Sequence, residues 1–145
     1  MYKIIFTILL SFLSVTSFSQ AHAADKILGE WINEEKDMRI EIYKVGNEYA
    51  GKLIWSPTLM EADGVTPRKD VNNNDEKLRS RSILHIDLLQ DFTFSDGIWD
   101  NGKMYDPKSG KTYSCVLKLR NEKLEVRGYV GVPLLGRTTY WERVL

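Results

Sequence analysis

From Met38 onward the chain alternates apolar and polar residues in short runs, the period of two that belongs to half-buried strands. Met38, Ile40 and Ile42 alternate with Arg39, Glu41 and Tyr43. Gly46-Asn47 then offers a tight turn, since both residue types tolerate positive φ. Tyr49, Gly51, Leu53 and Trp55 follow on one face, which completes a hairpin. Ser56 to Ser80 breaks the pattern with Pro57, Gly64, Pro67 and a polar tract from Asp70 to Glu76, and predicts a long loop. A helical turn capped by Asn74 or Asp75 is expected within it. Strands are predicted again over Arg81–Leu89 and Asp91–Phe94, the latter closed by Ser95-Asp96-Gly97. Ile98-Trp99 and Lys103–Tyr105 flank Asp100-Asn101-Gly102, which reads as a hairpin turn. Thr112–Leu119, Lys123–Val130 and Arg137–Val144 complete the series. About eight short strands joined mostly by tight turns define an all-β domain, either an up-and-down antiparallel β-barrel or a sandwich.

The N-terminus has a different pattern. Lys3 precedes an uncharged, mostly apolar run from Ile4 to Phe18, and Ala21-His22-Ala23 then supplies the small-x-small pattern that signal peptidase accepts. The run is about 15 residues, short of the roughly 20 a membrane-spanning helix needs. A signal peptide over residues 1–23, cut after Ala23, is therefore expected, leaving a single domain over 24–145 in the periplasm or outside the cell. No transmembrane segment is expected in that mature chain. Cys115 is the sole cysteine, so the domain has no internal disulfide and no lipoprotein anchor. Its alternation with Tyr113, Leu117 and Leu119 suggests a buried, inert thiol.

Charge narrows the partners. The chain carries 20 basic and 20 acidic residues, and only Lys3 leaves with the signal, so the mature domain is one charge acidic. That balance excludes nucleic acid, which needs a basic face.

Gly29-Glu30-Trp31 opens the domain and Trp141-Glu142-Arg143 ends it. Closing a meander brings the first and last strands together and removes both sheet edges. A guanidinium can then cap the tryptophan by cation–π contact. This arrangement resembles the signature of lipocalins and related calycins, which implies a structural closure role for Gly29, Trp31 and Arg143.

A further resemblance covers nearly the whole mature chain. It rests on Tyr49-Ala50-Gly51-Lys52-Leu53-Ile54-Trp55, Tyr105-Asp106-Pro107-Lys108-Ser109-Gly110-Lys111-Thr112-Tyr113, Arg127-Gly128-Tyr129-Val130-Gly131 and Gly136-Arg137-Thr138. These strings are similar to the bacterial exported domain-of-unknown-function 2147 family. The resemblance implies export and a calycin-like, lipocalin-like barrel, and brings no catalytic residue.

Tempting motifs fail on inspection. Gly110-Lys111-Thr112 looks like the end of a phosphate loop, but Tyr105 stands where the first glycine is required. Asp70-x-Asn72-x-Asn74-x-Glu76 has the alternating oxygens that suit calcium, yet Asp75 and Arg81 occupy the glycine and glutamate positions of such a loop. No metal site and no cofactor are expected.

Arg79, Arg81, Arg127 and Arg137, with Trp55, Trp99, Tyr105, Tyr113 and Tyr129, are the candidate ligand-binding residues. If their strand faces point inward they make an aromatic pocket with an arginine anchor, suited to a small amphipathic molecule with an anionic head. If they point outward, the arginines snorkel over tyrosines and pair with acids. Two roles stay open. A carrier would take a ligand at the barrel mouth with the 56–80 loop as lid, whereas an envelope protein-interaction factor would have a filled barrel and an apolar 131–135 patch. Enzymatic activity has no nucleophile motif behind it: His85 is the one histidine outside the signal, and a pocket with paired carboxylates, such as Asp87 and Asp106, would revive a hydrolase.

Overall fold

The computed structural model describes residues 19–145. The apolar run from Ile4 to Phe18 lies outside the described residues. Eight strands form one closed antiparallel barrel, each hydrogen-bonded to the next in sequence and the last to the first. They are β1 (Gly29–Asn33), β2 (Arg39–Val45), β3 (Glu48–Trp55), β4 (Asp87–Ser95), β5 (Ile98–Asp106), β6 (Lys111–Arg120), β7 (Lys123–Tyr129) and β8 (Arg137–Arg143). β1 pairs with β8 through Trp31 opposite Arg143 and Asn33 opposite Trp141. The barrel alternative is thus the one adopted, and no sheet edge is left open.

Up-and-down topology sends alternate loops to opposite ends. Three tight turns close one end, between β2 and β3, β4 and β5, and β6 and β7. Asn121 and Glu122 both adopt positive φ, which matches the twist of a two-residue hairpin. A 3₁₀ turn over Asp25–Ile27 plugs this end from below. There Trp31 Nε1 donates to the Ile27 carbonyl at 2.8 Å and Trp99 Nε1 to the Ala24 carbonyl at 3.1 Å. Arg143 lies over the Trp31 ring at 4.3 Å and donates to the carbonyls of Leu28 and Lys26. Gly29 keeps this approach open, because at its φ of +116° a side chain is strained and a Cβ would stand 3.1 Å from the guanidinium.

Above the plug the barrel is packed solid. Trp31, Phe92, Leu117, Leu124 and Cys115 are fully buried there. The Phe92 ring fills the place that a Cβ on Gly102 would take, 2.2 Å from its Cε1. Burial pushes the Cys115 thiol up to about 12, so it is inert at physiological pH.

Three expectations are corrected. Arg81–Ile86 is not strand: it belongs to the loop, and His85 adopts a φ of 67° one residue before Ile86 and β4. Asp91–Phe94 is not a separate strand but the second half of β4, which continues through a positive φ at Asp91. Asp100-Asn101-Gly102 is not a hairpin turn either. β5 runs straight through it, with Asn101 at a φ of 61° as a bulge whose side chain donates to Thr93. Tertiary packing decides the last case, because Gly102 is needed inside the barrel to admit Phe92.

Candidate functional site

The other end of the barrel carries the long connections: residues 34–38, 56–86, 107–110 and 130–136. A cavity of ≈ 540 Å³ opens here, within the size range of small-molecule sites. Its apolar wall is made by inward positions of several strands: Ile40, Leu89, Met104, Val126 and Trp141. Ile40, Met104, Val126 and Trp141 follow from period-two alternation within their own strands, as Ile40 does with Ile42. Leu89 instead lies where β4 breaks the alternation, and its neighbour Leu88 also lines the cavity. Gly128 widens the chamber, since a Cβ there would strike Met104 at 2.7 Å. The barrel is therefore filled at its closed end and hollow at its open end.

Polar groups gather at the mouth. Asn33 is buried and holds the β1–β2 loop, with its amide donating to Glu35 and Asp37 and its carbonyl accepting from the Asp37 and Met38 N–H groups. Asp106 is likewise committed to the β5–β6 turn, accepting from the Lys108 N–H and the Ser109 hydroxyl. Glu35, Asp37 and Asp106 thus line the mouth as hydrogen-bonded carboxylates with no cationic partner among the described residues. Arg137 begins β8 opposite Gly128, lines the cavity, and makes no ion pair among the described residues. Lys108 and Tyr113 also line the mouth.

Of the nine candidate ligand residues, the cavity brings together Tyr105, Tyr113 and Arg137. Tyr105 sits at its edge with the hydroxyl engaged by Asp70 at 2.5 Å and by the Asn73 amide at 3.1 Å. The other six lie elsewhere. Trp99 points inward but belongs to the packed floor. Trp55 is turned outward by the bulge at Arg39/Ile40, which breaks the alternation, and it packs under the Arg39 guanidinium at 5.4 Å. Arg127 and Tyr129 flank the inward Gly128 and so face the outside. Arg127 donates to the carbonyls of Pro133 and Leu134 and to the Thr138 hydroxyl.

Arg79 and Arg81 serve the long loop. Asp70 is buried, and its carboxylate receives Arg81 Nε and Nη2, both at 2.9 Å, with the Asn73 amide and the Tyr105 hydroxyl. Arg79 Nε donates to the Asn73 carbonyl. Asp75 caps the short 3₁₀ turn Glu76–Leu78 by accepting from the Lys77 N–H. Asn72 and Gly110 complete the clasp: a Cβ on Gly110 would fall 1.7 Å from the Asn72 carbonyl oxygen. The polar tract from Asp70 to Glu76 is thus a buckle that fastens the loop to the β5–β6 turn. Burial and the Asp70 hydrogen bond push the Tyr105 hydroxyl up to about 12, so it stays a neutral donor.

The hydrolase pairing has no geometric basis. Asp87 accepts from the outward Tyr43 hydroxyl at 2.6 Å, while Asp106 belongs to its turn. Among the described residues, no three His, Cys, Asp or Glu side chains converge as metal ligands.

The chain belongs to a bacterial protein family, described as "Uncharacterized protein conserved in bacteria (DUF2147)", whose model matches residues 29–143. A solved structure described as "Protein HP1028 from the human pathogen Helicobacter pylori belongs to the lipocalin family" superposes with a TM-score of 0.72. It is 24% identical, and the match covers 83% of this chain and 84% of that one. The fold is lipocalin-like, an eight-stranded cup. A search of the curated proteins finds no match.

Proposed function

We propose that this protein is an exported binding cup that holds a small amphipathic molecule, its apolar part in the barrel and its anionic head at Arg137. The observation that carries the reading is the half-hollow barrel, whose apolar chamber opens past a guanidinium with no carboxylate partner among the described residues. A chamber of this size lined by Ile40, Leu89, Met104, Val126 and Trp141 favours a carrier over an interaction factor with a filled barrel. Lys108 and the Tyr113 hydroxyl stand at the same mouth to receive the head. The 56–86 loop is fastened to the β5–β6 turn and contributes no residue to the chamber lining, so in this reading it is not a lid.

Export is supported by the apolar run before Ser19 and by the burial profile around the expected cut. Residues 19–22 are exposed, whereas Ala24 is 7% exposed and its carbonyl receives Trp99. Cleavage after Ala23 would spare the plug.

The test is a native mass spectrum of protein purified without detergent from its own compartment. A discrete added mass that disappears on denaturation is expected, and the polypeptide should begin at Ala24. A bare polypeptide that also fails to take up any amphiphile when challenged would contradict the carrier reading.

A further inference from the structure

We propose that the loop from Val130 to Leu135 seats the open end of the barrel on a phospholipid bilayer. The proposal goes beyond the cavity and stands on the loop and on Arg137 behind it. Val130, Val132, Leu134 and Leu135 are 73, 51, 85 and 78% exposed, four aliphatic side chains within six residues. No charged residue occurs between Tyr129 and Arg137. Singly exposed aliphatics need no explanation, but a protruding cluster does.

Two features identify the occupant. The first is the backbone, which must be satisfied internally before it can enter an apolar medium. Here the carbonyls of Val130, Val132, Pro133 and Leu134 all accept hydrogen bonds. Their donors are the N–H groups of Val132, Leu135 and Gly136 and the fork of Arg127. Pro133 has no N–H to satisfy.

Charge complementarity is the second feature. Arg137 stands on β8 directly behind the tip with no ion pair among the described residues. Its head can reach lipid phosphates while the aliphatics enter the acyl boundary. Arg127 beside it is committed to the loop's own carbonyls. A protein partner fits less well, because interface cores favour aromatic anchors and this tip has none. The mouth of the chamber would then face the bilayer, since Arg137 belongs to both.

The test is cosedimentation with vesicles of phosphatidylethanolamine and phosphatidylglycerol, using the protein as it accumulates in the cell. Wild type is expected to pellet, and the double variant L134S/L135S to lose partitioning by at least tenfold. Its thermal midpoint should not move, because neither side chain is in the core. Thr139 lines the chamber opposite Val126, and Thr139→Trp, which fills it, is expected to pellet like wild type. The proposal is overturned if wild type stays in the supernatant, or if L134S/L135S pellets equally. It is also overturned if Thr139→Trp loses binding, which would mean that pelleting reflects lipid uptake by the chamber. A dimer in solution that L134S/L135S converts to monomer would assign the patch to a second copy instead.

Discussion

Gly102→Ala is the sharpest perturbation the packed floor offers. An added Cβ would lie 2.2, 2.3 and 2.4 Å from three atoms of the Phe92 ring, where ordinary contacts begin at 3.4 Å. The ring must therefore retreat by roughly 1 Å, and it has little room, being fully buried in the packed floor. Overpacking of this kind costs about 2–3 kcal/mol. For a domain of this size that lowers Tm by roughly 8–15 °C. Urea unfolding followed by tryptophan fluorescence reads the change directly. Phe92→Leu alone should cost about 1–2 kcal/mol through lost ring contacts. Because the smaller side chain vacates the contested space, the double variant should be no worse than Phe92→Leu, a coupling of about 2 kcal/mol. A Gly102→Ala protein within ~0.5 kcal/mol of wild type, or strictly additive costs, would refute the claim that this glycine exists to admit the ring.

Other consequences follow from the loop buckle, the closure pair and the buried hydroxyl and thiol groups. Arg81→Met strands the buried Asp70 carboxylate and should cost about 2–4 kcal/mol, with faster proteolysis within residues 56–86. Arg79→Met, at a half-exposed site, should cost ~1 kcal/mol or less, and equal effects would contradict the assignment of Arg81 as the main tie. Arg143→Met removes the cation over Trp31 and two bonds to carbonyls, for a loss of about 2 kcal/mol in denaturant unfolding with ligand uptake unchanged. At alkaline pH the raised values of Cys115, Tyr43 and Tyr105, each about 12, mean that the unfolded chain releases protons first. Stability is then full below about pH 8, begins to fall as the unfolded thiol and then the tyrosines ionise, and declines towards pH 12 by up to ~1.4 kcal/mol per pH unit for each group; a flat profile from pH 9 to pH 11 would contradict it.

The sequence was informative where one physical cause acts locally. Alternation located β2, β3, β6, β7 and β8, and glycine or asparagine chemistry located the turns at Gly46 and Asp106. Closure of the meander was legible from Trp31 and Arg143, because residues at the two ends of an up-and-down barrel have to meet. Errors arose where an inserted residue resets the alternation. The bulge at Arg39/Ile40 turns Trp55 outward, and those at Asp91 and Asn101 imitate strand ends. The arginines misled for a related reason. Arg127 and Arg137 are both strand residues of similar context, and only the register that pairs Gly128 with Arg137 assigns the one outward and the other to the chamber. The apolar wall had a weak signal in Met38, Ile40, Thr139 and Trp141, which alternate near strand ends, but nothing in a single chain says which end stays hollow. The buckle at Asp70 was hidden altogether, since its partners Arg81 and Tyr105 are 11 and 35 positions away.

Titration of the purified protein with parinaric acid and with its methyl ester asks whether the chamber takes up an amphiphile and whether Arg137 holds its charged head. The account predicts saturable enhancement of probe fluorescence by the acid, weaker binding of the uncharged ester, and abolition of both by Thr139→Trp. Arg137→Ala should lower affinity for the acid towards that for the ester, with Lys108 and the Tyr113 hydroxyl retaining part of the difference. No saturable enhancement with either probe, or enhancement that survives Thr139→Trp, would mean that the chamber is not a binding site.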